Sequence, residues 1–217
     1  MKSVKLTRDD INVSLWSGGT TSEILIFPDS AKYSDRNFLF RISSATVDEE
    51  VSAFTRLYGY SRLIVSLDHS FSLSHDGAAE ILIPPYTVHE FDGASETVSR
   101  GRITDFNLML RKERTFGQMN VFTSDASVSD DGAYLVRIVY APRGKVGVKL
   151  CGARYALGAG EALVIKTDCG EPFSAELTID GGFVASYAAA GIKAEWYAFE
   201  SQTSKSCRFI RGSFQFK

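Results

Sequence analysis

No apolar run in this chain approaches the ~18 to 20 residues that cross a bilayer, and the opening MKSVKLTRDD has no apolar stretch behind its charges. Neither a membrane span nor a secretory signal is expected. Cysteine is scarce: Cys151, Cys169 and Cys207 are odd in number, widely spaced and lack a CxxC pair, which predicts reduced thiols in a cytoplasmic protein. Histidine is equally scarce, with His69, His75 and His89 and no HxH pair. A stable metal site generally takes three or four donors, so neither a metal nor another cofactor is expected. The chain has no GxSxG elbow, and the Gly-Gly of WSGGTTSE (16–23) lacks the lysine and spacing of a P-loop and sits in no βαβ unit. The 24 basic residues are interspersed with 26 acidic ones, so no clustered basic face for nucleic acid is expected.

Short apolar stretches between turn residues are what the chain does have. EILIFP (23–28), NFLFRIS (37–43), RLIVSL (62–67), FSLS (71–74), EILIPP (80–85) and 103–110 read as strands, as do YLVRIVYAP (134–142), KVGVKL (145–150), GEALVIK (160–166), AELTI (175–179) and GFVASYAAA (182–190). Alternation is expected to put Ile24 and Ile26 on one face, with Leu25 and Phe27 on the other. Asp76-Gly77 is a hairpin signal, because a type I′ turn needs positive φ. Ser99 to Gly101 offers another turn. No amphipathic pattern exceeds three helical turns; 48–59 is expected to form one or two, with Asp48 as N-cap. RKER (111–114) reads as a solvated linker and 123–133 as a polar loop.

Five segments, WSGGTTSE (16–23), FRISSATV (40–47), FTRLYGYSRLIVSL (54–67), PPYTVHEFDG (84–93) and DFNLML (105–110), occur in that order and together resemble the HutD/Ves family. The likeness covers the first half of the chain. It implies an all-β, cupin-like double-stranded β-helix with two barrels in one chain, a bicupin. Residues 1–114 would form the barrel that carries the motifs, and 115–217 a second, smaller one. In the second half, Gly158 and Gly160 permit tight loops before a core strand. The chain departs from relatives at Phe40-Arg41, where Trp-Arg is usual, and at Asp68-His69, where a glycine is usual. HutD-like proteins are associated with regulation of histidine utilisation and Ves-like ones with stress responses.

In FRISSA, Arg41 and Ser43 point away from Phe40 and Ile42, so an apolar strand sends a cation and a hydroxyl to one side. A buried guanidinium without a partner costs several kcal/mol, and Glu23 and Asp105 are the internal carboxylates that could meet it. Arg62 is the second candidate cation, with a fork suited to a small carboxylate. Around these, Trp16 is expected as a wall or lid, Thr20 and Thr21 as hydroxyl donors, Phe54 and Phe91 as apolar lining and Asn107 as an orienting amide. Asp105 and Asn107 could equally clasp the strand to the WSGGTTSE loop. His89 follows Pro84 by five residues, with Tyr86 and Gly93 where a cupin motif carries Gly and Asn. A satisfied structural histidine is preferred there over a ligand contact or a metal ligand.

The function expected is metal-independent binding of a small organic acid, or of a formylated or formiminated amino acid, without turnover. The alternative is a metal-independent isomerase or hydrolase of a small acid, with Glu23 or His89 as general base. A third reading is an interaction module; cupin-like sheets often form homodimers, but no edge is singled out. Partners in nucleic acid or membrane are not expected.

Overall fold

Residues with β-branched and aromatic side chains, spaced by turn formers, leave the backbone little alternative to extended structure. A computed structural model describes residues 1–193, apart from Cys169 and Gly182. Cys207, expected to be a reduced thiol like Cys169, also lies outside the described residues; Cys151 is a free, exposed thiol. The first half contains β1 (Lys2–Leu6), a 3-10 turn at Arg8–Asp10, β2 (Asn12–Trp16), β3 (Gly19–Phe27), β4 (Phe40–Val47), β5 (Val51–Ala53), β6 (Tyr60–Ser66), β7 (Phe71–His75), β8 (Ile81–Ile83), β9 (His89–Asp92), β10 (Thr97–Arg100) and β11 (Ile103–Arg111). The second half continues with β12 (Thr115–Phe122), β13 (Ala126–Asp130), β14 (Val136–Arg143), β15 (Val146–Leu150), β16 (Ala153–Leu157), β17 (Glu161–Lys166), β18 (Phe173–Ile179) and β19 (Val184–Ile192). The class is all-β, as expected.

These strands make four sheets, in the orders β2-β3-β4-β11-β6-β9, β5-β10-β7-β8, β1-β17-β14-β19-β12 and β13-β18-β15-β16. Their buried side chains stack the sheets in layers. Ile64 of β6 and Ile103 of β11 meet Phe71 and Leu73 of β7, closing the first two sheets on each other. Val139 of β14 and Leu163 of β17 meet Val148 and Leu177 from β15 and β18, closing the other pair. Between the pairs lies the largest core, where Phe40, Ile42, Phe106 and Leu108 face Val136, Ile138, Val164 and Ala188. The large sheets are thus covered on both faces, which is why β4, β11, β14 and β19 are buried along nearly their whole length.

The pairing of β1 with β17, Lys2 opposite Lys166 and Leu6 opposite Ala162, carries the N-terminal strand across position 114 into a sheet of the second half. Asp76 and Gly77 have φ of 52° and 75°, the left-handed pair expected of that hairpin. Three local expectations fail. Residues 48–59 form no helical turn: β5 pairs with β10, Ser52 opposite Ser99, because an edge position of a sheet outweighs weak local helix signals. Within 123–133 the expected loop contains β13, held to β18 with Val128 opposite Ala175. In β3 the register shifts between Glu23 and Leu25, a bulge; Ile24 and Phe27 then reach the central core, whereas Ile26 packs with Phe38 and Tyr60. The segment 111–114 is a tight turn between β11 and β12, with Glu113 at φ 65°.

Candidate functional site

Alternation on three neighbouring strands builds the site. Of the side chains on β4, β11 and β6 that do not enter the central core, Arg41 and Ser43, Asp105, Asn107 and Met109, and Arg62 line one cavity of about 270 Å³. Trp16, Thr21, Tyr33, Phe54 and Thr55 complete its wall. Just under the ~300 Å³ at which drug-sized ligand sites begin, this space suits a small metabolite. Leu15 stands at its edge, 86% exposed.

The two arginines are held differently. Arg41 donates from Nε to Glu23 Oε2 at 2.6 Å and from Nη1 to Ser43 Oγ at 3.1 Å, and its guanidinium carbon lies 4.5 Å from the Tyr33 ring centre. Its charge is met by protein. Among the described residues, Arg62 has no carboxylate within ion-pairing distance; its side chain bonds to Asn107 instead. Its Nη2 reaches Asn107 Oδ1 at 3.4 Å, and the Phe54 and Phe91 rings each stand 5.0 Å from its guanidinium carbon. Its Nε is buried without a hydrogen-bond partner, and so is Trp16 Nε1. Burial pulls the Arg62 pKa down, opposed by Tyr33 and Asp105; an arginine nevertheless stays cationic at neutral pH.

Asn107 separates Arg62 from Asp105. Arginine can only donate, so the amide oxygen faces it and the amide nitrogen turns to Asp105 Oδ1 at 2.5 Å. Ala45 N also donates to that oxygen, at 3.1 Å. Burial, only partly offset by Arg62, pushes the Asp105 pKa up to about 7. The carboxylate clasps β11 to β4 through Ala45 N, rather than to the WSGGTTSE loop as expected, and it also lines the cavity.

Other predicted residues lie elsewhere. Thr20 is on the opposite face of β3, with its hydroxyl 2.9 Å from that of Thr46, so it lines a different groove with Ser22 and Tyr140. Phe91 stands behind Arg62 without lining the cavity. Glu23 is engaged with Arg41, and neither it nor His89 lines the cavity. His89 instead meets His75, with Nε2 facing Nε2 across 3.0 Å. The ring planes differ by 6° and the centroids are 5.2 Å apart, an edge-to-edge arrangement that makes a single N–H···N bond. His75 Nδ1 lies 2.9 Å from Thr97 Oγ1, whose hydroxyl can donate to Ser95 O; Nδ1 then carries the proton and His75 Nε2 accepts from His89.

Sequence reasoning missed Tyr33, Ser14, Leu15 and Thr55, which come from a loop, an edge strand and a strand end where no period marks the inward face. It also missed Arg137. Like Arg41 at the second position of β4, Arg137 is at the second position of β14, but Asp130 clamps it through both oxygens and Tyr134 and Thr167 take its remaining reach. The departure at Asp68 is structural: its carboxylate accepts from the backbone of His69 and Thr104 and pairs with Arg143 at 2.8 Å.

The HutD family model matches residues 8–183. The chain belongs to the HutD family. A conserved protein of unknown function from Pseudomonas aeruginosa PAO1 superposes with a TM-score of 0.75 at 23% identity, covering 88% of this chain and 100% of that one. HutD from Pseudomonas fluorescens SBW25, solved in a formate condition, superposes at 0.72 with 21% identity over 89% of this chain and 100% of its own. A cupin 2 conserved barrel domain protein from Leptotrichia buccalis gives 0.50 at 8% identity, over 88% and 96%. These likenesses establish a cupin-like fold for this HutD family member. The search of curated proteins finds no match. No group of three or more metal-ligating side chains occurs among the described residues, and no helix there is long and apolar enough to cross a membrane.

The histidine pair carries a pH prediction. Burial lowers the pKa of His75, and burial together with the His75 charge lowers that of His89. The unfolded chain therefore protonates first, and the pair's contribution, complete above pH ~6.5, is lost as pH falls through and below it. The drop in urea midpoint between pH 7.5 and 5.5 should be smaller in His75→Gln/His89→Gln than in the unaltered protein. An equal drop would show that the pair does not govern it.

Proposed function

We propose that this HutD family member binds a small carboxylate in the first-half cavity without a metal ion, and that the acid is a metabolite such as a formylated or formiminated amino acid. One observation carries the reading: among the described residues, Arg62 is a buried cation with no carboxylate partner and an unpartnered Nε, and it lines a cavity of small-molecule size. Leaving such a charge unmet costs several kcal/mol, and an anion relieves it. Arg137, clamped by Asp130, has no comparable vacancy. The structure of the Pseudomonas fluorescens HutD comes from a formate condition, and formate is the smallest carboxylate. By its family resemblance the protein would act in the cytoplasm, sensing or limiting histidine breakdown.

The test is thermal unfolding of metal-stripped protein against formate, N-formylglutamate, formiminoglutamate, urocanate and a divalent-metal panel. An acid at a hundred times its Kd adds about 2.7 kcal/mol, or several degrees for a chain of this length. Arg62→Ala should abolish the shift while keeping the far-UV spectrum. Shifts that survive Arg62→Ala would remove the arginine from the site, and silence for every acid would remove the reading.

A further inference from the structure

Resting on the carboxylate reading, we infer that the ligand is an acid carrying an N–H or O–H donor close to its carboxylate, and that Asp105 selects it through Oδ2. Both hydrogen bonds to this side chain, from Ala45 N and Asn107 Nδ2, converge on Oδ1. Among the described residues none donates a hydrogen bond to Oδ2, and Asp105 lines the cavity. The cavity is thus lined by Arg62 and Trp16, whose buried Nε and Nε1 have no hydrogen-bond partner among the described residues, together with an Asp105 oxygen that no described donor meets. Asn107 bridges the cation and the carboxylate, which make no direct ion pair with each other.

A molecule that only accepts would meet Arg62 and Trp16 and set its lone pairs against Asp105. A molecule with a carboxylate at one end and a donor beside it meets all three. Selection of this kind works by leaving the wrong ligand facing an unpaired buried group. The site would also disfavour a second negative charge at the Asp105 end.

Two nearly isosteric acids separate the cases. N-acetylglycine has an amide N–H where acetoxyacetate has an ester oxygen, and acetate serves as the minimal acid. Isothermal titration of the unaltered protein at pH 8, where Asp105 is ionised, should show N-acetylglycine binding at least tenfold more tightly than acetoxyacetate. In Asp105→Asn, the amide oxygen must stay with Ala45 N and Asn107 Nδ2, so its nitrogen, a donor, takes the place of Oδ2; the preference should vanish or reverse. Equal affinities for the two acids in the unaltered protein would overturn the role of Asp105 while leaving carboxylate binding intact. Failure of all three acids to bind at millimolar concentration would overturn both. The comparison within the unaltered protein does not depend on the variant folding.

Discussion

Asp130→Ala should lower the stability of the protein by about 3–5 kcal/mol, the usual cost of removing one partner of a buried ion pair. Arg137 is fully buried on β14, and its Nε donates to Asp130 Oδ2 at 2.8 Å while Nη2 meets Oδ1. Nη1 donates to Tyr134 O at 2.7 Å and Thr167 Oγ1 at 2.5 Å, and the Phe173 ring lies 4.7 Å from the guanidinium carbon. The guanidinium can neither give up its proton nor reach water, so deleting the carboxylate leaves a charge in an apolar interior. For a chain of this size that is roughly a ten-degree fall in Tm, read equally well as a urea midpoint. Replacing both partners, in Asp130→Val/Arg137→Met, should recover most of the loss, because the penalty lies in the uncompensated charge rather than in the missing bond. A loss below about 1 kcal/mol for Asp130→Ala would mean that solvent reaches Arg137 and that the second half holds an open cation as well.

The contrast between these arginines shows what could be read from the sequence. FRI at 40–42 and VRI at 136–138 are near-identical local signals, and each puts a guanidinium on the face away from the central core. Whether that cation is satisfied depends on residues brought by other strands: Asp130 at the end of β13 for one, Glu23 beside the β3 bulge for another. Strand positions with strong period, such as β6, β11, β14 and β17, were legible because burial on one or both faces fixes side-chain type. Elements whose pairing is long-range were not. Nothing in KSVKL predicts that it joins β17, and the weak turn-like composition of 123–133 concealed β13. Most of the cavity was legible because Arg41, Ser43, Asp105, Asn107 and Arg62 are polar residues at inward positions of apolar strands. Thr20 was misplaced because its neighbour Thr21 has the inward face, and two adjacent residues of a strand cannot share it. His75 and His89 lie on strands of different sheets, so their contact has no sequence spacing to announce it.

Asp105→Asn should make the protein more stable above neutral pH. A carboxyl moved from 3.8 to about 7 by burial binds a proton in the folded state at pH values where the unfolded chain has lost it. Between those limits the folded form holds more protons, so its stability falls as pH rises from about 4 to about 7 and stays reduced above. At about 1.4 kcal/mol for each pH unit that separates the folded from the unfolded value, the penalty at pH 8 is on the order of a few kcal/mol. Asparagine cannot ionise, yet its oxygen can still accept from Ala45 N and Asn107 Nδ2. Urea denaturation of the two proteins should therefore give similar midpoints near pH 4, a gap that opens in favour of the variant up to about pH 7, and no further divergence at pH 8. A variant less stable at every pH would mean that the Asp105 charge is welcome where it lies, through Arg62, and that the pair is a structural ion network. The expected outcome, a sturdier protein that no longer distinguishes N-acetylglycine from acetoxyacetate, identifies the buried carboxylate as a group retained for binding at the expense of stability.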